Sequence, residues 1–156
     1  MNESFKTDEL KKARLAAFHL LKIRGRSEKE LRGRLKQKKF SSAIIETTID
    51  HLKKTRFIDD RQFARSWIQS RLTKPFGLRR ISLELIQKGI DKELLREELA
   101  FAKEGFSEDA ALKELIQKCR VKYKDVESAK RRQRIFGYLA RRGFSIEAIE
   151  SALQKS

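Results

Sequence analysis

Apolar positions recur three times along the chain in one pattern, each time around a short break. The first copy runs Leu31, Leu35, Phe40, Ser41, Ile45, Ile49; the second Ile81, Leu85, Ile90, Asp91, Leu95, Leu99; the third Ile135, Leu139, Phe144, Ser145, Ile149, Leu153. Steps of four on either side of the break put each set on one helix face, so each copy predicts two short helices with their apolar stripes turned inward. Ser41, Asp91 and Ser145 stand where the second helix begins, each offering a side-chain oxygen to the free N–H groups of a first turn. Gly89 and Gly143 lie two residues before the second and third of these, where a helix ends most readily in a left-handed conformation. The first copy has Lys39 there, at a cost of about 1 kcal/mol for a left-handed non-glycine residue, which predicts a looser or differently shaped break.

The copies are about 50 residues apart, which leaves room upstream of each pair for a third helix. Thr7 begins a run with Leu10, Ala13, Ala17, Leu20 and Leu21; Asp59 begins one with Phe63, Trp67, Ile68 and Leu72; Ser107 begins one with Ala111, Leu112, Leu115, Ile116 and Cys119. Asp59 with Gln62, and Ser27 with Glu30, have the form of a capping box. No stretch alternates with period two for long enough to make a strand, and Pro75 falls between two helical patterns. The expected fold is all-α, an elongated stack of three tandem three-helix repeats at residues 1–57, 58–106 and 107–156. One such unit is marginal by itself, so neighbours are expected to pack in a row.

With 38% charged and 39% hydrophobic residues the chain can form only thin cores, which suits such a stack. No apolar run is long enough to cross a bilayer and the amino terminus has no signal-peptide core, so a cytoplasmic protein is expected. The single cysteine, Cys119, lies on an apolar helix face and reads as a small core residue, without disulfide or thiolate metal site.

Net charge changes the picture more. The total of +16 divides into +9 in 1–57 (16 basic, 7 acidic), +2 in 58–106 (10 basic, 8 acidic) and +5 in 107–156 (12 basic, 7 acidic). An excess of this size points to a polyanionic partner, because counterion release draws cationic surfaces onto phosphate backbones. The candidate contact residues are clustered. Lys36, Lys38 and Lys39 crowd one helix end, Arg79 and Arg80 open another helix, and Lys130, Arg131, Arg132 and Arg134 open a third that closes with Arg141 and Arg142. Lys38, Lys88 and Arg142 share one register, which would line up a cation per unit along an extended phosphate chain, although a cation at a helix C-terminus also simply complements the dipole. Phe40, Phe63, Trp67 and Phe144 lie in apolar registers and read as core rather than stacking platforms.

Catalytic patterns are missing from the sequence: there is no phosphate-binding glycine loop, no histidine pair at metal spacing and no nucleophile elbow. His19 and His51 stand alone, and Asp59 with Asp60 reads as a cap and first-turn charge rather than a cation site. A binding protein without cofactor or metal is expected, not an enzyme.

Several motifs together resemble one family. Phe57, Ile58, Asp59, Asp60, Phe63 and Ala64, then the run Lys74 to Ile81 with Pro75 and Gly77, then Glu84, Leu85, Lys88, Gly89 and Ile90, are similar to the central signature of RecX, the bacterial regulator of the RecA recombinase. The likeness extends through Ser27, Glu30, Leu31 and Leu35 on one side and Leu139, Arg142, Gly143, Phe144 and Ile149 on the other. One departure is Arg56, where the family usually has glycine. The resemblance implies a monomeric all-helical protein of DNA repair, recombination and the SOS response. It implies binding in the groove of the RecA filament on single-stranded DNA, with duplex DNA as a second candidate ligand, and inhibition of recombinase, ATPase and coprotease activities. The residues by themselves leave open a sequence-tolerant helix-turn-helix DNA-binding regulator, and a helical scaffold that binds only protein.

Overall fold

A computed structural model describes the backbone of residues 2–155 and the side chains of 6–155. Met1 and Ser156, outer bounds of the expected first and third units, lie outside the described residues. The described residues form helices α1 (Asn2–Ile23), α2 (Glu28–Gln37), α3 (Ser42–Lys54), α4 (Asp60–Leu72), α5 (Leu78–Gln87), α6 (Lys92–Glu104), α7 (Glu108–Lys122), α8 (Ser128–Arg141) and α9 (Ile146–Gln154), and no strand occurs among them. Helix α1 begins upstream of Thr7, not at it. The run from Asn2 to Lys6 holds neither glycine nor proline, so nothing stops the helix from propagating back.

Each trio of helices closes on its own core. Ala17, Leu31, Leu35, Ile45, Ile49 and Leu52 pack together in the first, Ala64, Ile68, Ile81, Leu85 and Leu95 in the second, and Leu112, Ile116, Ile135, Leu139, Phe144 and Ile149 in the third. Cys119 is buried in the third core, and burial pushes its thiol pKa up.

All three breaks are Schellman turns. The N–H of Phe40, Ile90 and Phe144 donates to the carbonyl of Leu35, Leu85 and Leu139, while the residue before each sits at positive φ: 65° at Lys39, 82° at Gly89 and 86° at Gly143. The recurring apolar pairs Leu35 with Phe40, Leu85 with Ile90 and Leu139 with Phe144 are the hydrophobic contacts that accompany this motif. The first break therefore has the same shape as the others, contrary to the expectation of a looser one. Arg56 is also left-handed, at φ 57°, and the N–H of Phe57 donates to the Leu52 carbonyl, so the turn where the family usually has glycine keeps a glycine-type conformation.

The units meet at two joints built alike. Ser27, the N-cap of α2, donates through Oγ to the Lys88 carbonyl at 2.6 Å, and the N–H of Gly77, the N-cap of α5, donates to the Arg142 carbonyl at 2.9 Å. In each joint the start of one unit's middle helix thus docks on the end of the next unit's middle helix. The first N–H of the docking helix is satisfied across the joint as well: Glu28 N–H donates to Asp60 Oδ1 at 2.8 Å, and Leu78 N–H to Glu108 Oε1 at 3.2 Å. Asp60 is therefore a joint residue, and no group of three or more His, Cys, Asp or Glu suited to a metal ion occurs among the described residues.

Candidate nucleic-acid interface

The joints decide the fate of the cations that the sequence put in register. In the first joint Lys88 reaches Glu30 at 2.7 Å and lies 4.1 Å from the centroid of the Trp67 ring, while Arg24 holds the other side of Glu30 at 3.0 Å. Burial by itself would raise the Glu30 carboxyl, but the hydrogen bonds and charges of Arg24 and Lys88 bring its pKa down to about 2. In the second joint the corresponding places hold two arginines. Arg80 and Arg142 lie 4.2 and 5.3 Å from the Phe76 centroid, and Arg80 is also paired with Glu84, which Arg71 approaches at 2.7 Å. The expected line of cations is thereby corrected. Lys38 is exposed, whereas Lys88 is spent inside a joint and Arg142 is half-buried against Phe76 and Tyr138.

The richest unpaired array is on α8. Lys130, Arg134, Gly137 and Arg141 follow one another at helical spacing on one face, and with Tyr123 they border a shallow depression of about 400 Å³. Arg134 lies 5.9 Å from the Tyr123 centroid, and none of these three cations forms an ion pair among the described residues. Arg131 and Arg132 turn to the other side of the helix, bordering a second depression with Arg120 and Ser128, and Arg131 donates to the Lys124 carbonyl at 3.5 Å. The structure thus splits into two faces a cluster that the sequence presented as one. Lys36, Lys38, Lys39 and Arg79 are exposed and make no ion pair among the described residues. Much of the remaining basic charge is occupied: Arg32 and Lys53 meet Glu28, and Arg61 and Arg65 clamp the buried Glu98.

Sequence reasoning missed Arg26, which is 8% exposed and lines a cavity between the first two units. It also took Phe63 and Trp67 for core alone. Both pack against the second core, and both border that cavity.

The chain matches family models for the first, second and third three-helix domains of RecX at residues 13–52, 59–99 and 107–153. A protein of Chlorobium phaeobacteroides (strain BS1) named regulatory protein RecX is 34% identical over 151 residues, covering 96% of this chain and 95% of that one. A protein of the same name from Bacillus licheniformis is 35% identical over 150 residues, which span 96% of this chain and 57% of the relative. The crystal structure of RecX from Lactobacillus salivarius shares the fold, with a TM-score of 0.84 over 96% of this chain and 97% of that chain at 24% identity. No helix among the described residues is long and apolar enough to cross a membrane. With three domain models matched in chain order and a relative 34% identical along nearly its whole length, the chain belongs to the RecX family of regulatory proteins.

Proposed function

We propose that this protein is a non-catalytic regulator that lies along the filament formed by its cognate RecA-type recombinase on single-stranded DNA, and that it lowers the filament's recombinase, ATPase and coprotease activities. The observation that carries the DNA part of this reading is the row of cations on α8, Lys130, Arg134 and Arg141, with no acid partner among the described residues and with the Arg141 guanidinium lying over Gly137, where a Cβ would come within 3.3 Å of it. Phosphates are the natural ligand of such a row. Membership of the RecX family supports the recombinase as protein partner. Inhibition is then a matter of binding. A monomer of three jointed units laid over several filament subunits caps growth or stiffens the subunits against the motions of ATP turnover.

The test is binding to recombinase filaments on single-stranded DNA, measured beside binding to recombinase alone and DNA alone, together with the DNA-dependent ATPase of the filament. The expected result is tightest binding to the filament and a fall in ATPase at substoichiometric ratios. Binding to naked duplex should be insensitive to sequence and steeply salt-dependent. An unchanged filament ATPase, or a discrete footprint on one duplex sequence at physiological salt, overturns this reading, the latter in favour of an operator-binding regulator.

A further inference from the structure

Helices α3 to α9 all place an apolar residue immediately before the N-cap: Phe40, Ile58, Phe76, Ile90, Phe106, Val126 and Phe144. That position pins the entering chain by packing on the first turns. Helix α2 alone among these has a charged residue there, Arg26, and it is more than nine-tenths buried. Its Nε donates to the Leu20 carbonyl at 3.3 Å near the end of α1, which accounts for one donor. No carboxylate pairs with it, and its Nη groups have no acceptor among the described residues. Burial, with the guanidiniums of Arg24 and Arg34 nearby, lowers its pKa. Its Nη groups are not sealed from solvent, so they stay open to an acceptor that enters the cavity Arg26 lines.

The cavity of about 400 Å³ that Arg26 lines opens between the first and second units. Its other walls combine three aromatic rings with polar groups, among them Arg24, Asp59 and Gln62. Phe57 is 56% exposed and held edge-on by Phe18 at 4.8 Å, and across from it Phe63 stacks on Trp67 at 5.8 Å, with the indole N–H anchored on Glu84 at 2.9 Å. Ser66 sits on the exposed rim.

We infer that this cavity is a binding site for one unpaired nucleobase of single-stranded nucleic acid, the base lying among Phe57, Phe63 and Trp67 with its edge accepting from Arg26. The inference rests on the proposed DNA-bound function and adds a contact of a different kind to it. An aromatic ring alone suits an apolar side chain equally well, but such a side chain leaves the Arg26 donors unmet, whereas base edges carry ring-nitrogen and carbonyl acceptors that a guanidinium fork fits. A duplex keeps its bases stacked and paired, so only a single strand can deliver one.

Trp67 is the chain's single tryptophan, so its fluorescence reads this cavity directly. The full chain is titrated with a single-stranded oligonucleotide, with an abasic strand of equal length and charge, and with duplex. The expected result is quenching by the oligonucleotide alone, with about tenfold weaker binding of the abasic strand. Ser66→Leu, which fills the rim from a solvent-exposed position, should abolish the quenching, leave the circular dichroism spectrum unchanged and keep the salt dependence of binding. Arg26→Lys should weaken the quenching, because lysine keeps the charge and loses the fork. Equal quenching by the abasic strand, or full quenching in Ser66→Leu, overturns the proposal while leaving DNA binding by α8 intact. Quenching by recombinase without DNA overturns it in favour of a protein side chain. Failure of every strand to bind would instead sink the DNA part of the proposed function, and this proposal with it.

Discussion

Among the described residues two left-handed positions are glycines and two are not, and neighbouring units explain the glycines at the breaks. A Cβ on Gly89 would lie 2.6 Å from Lys29 Cβ, and one on Gly143 would lie 2.3 Å from Arg80 Cβ and 2.7 Å from its backbone nitrogen. Positive φ makes glycine favourable at both places, and docking makes it necessary. Lys39 ends the corresponding helix of the first unit, where no unit docks among the described residues, so only the conformational cost remains. Lys39→Gly should therefore raise stability by up to about 1 kcal/mol, read as a higher urea midpoint. Gly143→Ala should lower it by more than that amount, because backbone as well as side chain must shift. Equal effects of opposite substitutions at the two sites would show that conformation alone sets the preference.

At the scale of elements, stability resides in separate trios and their order in small joints. Leu139→Ala or Phe144→Ala should melt the third unit at a cost of about 2 to 5 kcal/mol each, since both side chains are fully buried in its core. Circular dichroism with urea would reveal this as a loss of about a third of the helical signal before the rest unfolds. The first joint should be sensitive to acid. Glu30 has a folded pKa of about 2 against an ordinary 4.5, so the native form binds fewer protons than the unfolded chain between these values. Its contribution is complete above about pH 4.5 and is lost as pH falls through about 2. Glu30→Gln should accordingly lower stability at neutral pH, with the difference from the parent chain shrinking across that window. A difference that is flat from pH 5 to 2 would place the joint's stability elsewhere.

For the whole molecule, net charge says less than its bookkeeping by partner. The second unit has ten basic residues, but Arg61, Arg65, Arg71, Arg80, Lys88 and Arg96 are engaged with carboxylates. Exposed cations without an ion pair among the described residues include Lys36, Lys38 and Lys39 at the first break, Arg79 at the start of α5, and Lys130, Arg134 and Arg141 on α8. Replacing Lys130, Arg134 and Arg141 together by Ala should leave the fold intact, because these residues lie off the Ile135 and Leu139 stripe. It should flatten the dependence of log binding constant on log salt for single-stranded DNA by up to about 2, at roughly 0.7 per lost phosphate contact. Replacing Arg131 and Arg132 tests the opposite face of the same helix. If the first triple leaves affinity and slope unchanged while the second pair lowers both, the phosphate path runs on the Arg120 side.

Helices, caps, breaks and core stripes were legible in the amino-acid sequence because each depends on residues within about a dozen positions. Apolar steps of four define a face, Ser41 or Asp91 caps the turn that follows it, and Leu139 with Phe144 closes a Schellman turn six residues long. The resemblance to RecX was legible for the same reason, since its motifs are local. What the tertiary structure decided is which polar groups remain available. Lys88 and Arg142 share a register in sequence, yet Lys88 is neutralised by Glu30, 58 residues away, while Arg142 shares the Phe76 ring with Arg80. Nothing in the sequence around Arg26 marks it, yet it is buried and lines a cavity whose opposite wall is α4 of the second unit. Local periodicity cannot carry such information, because charge pairing and enclosure are set by contacts between units, and those exist only once each unit has folded.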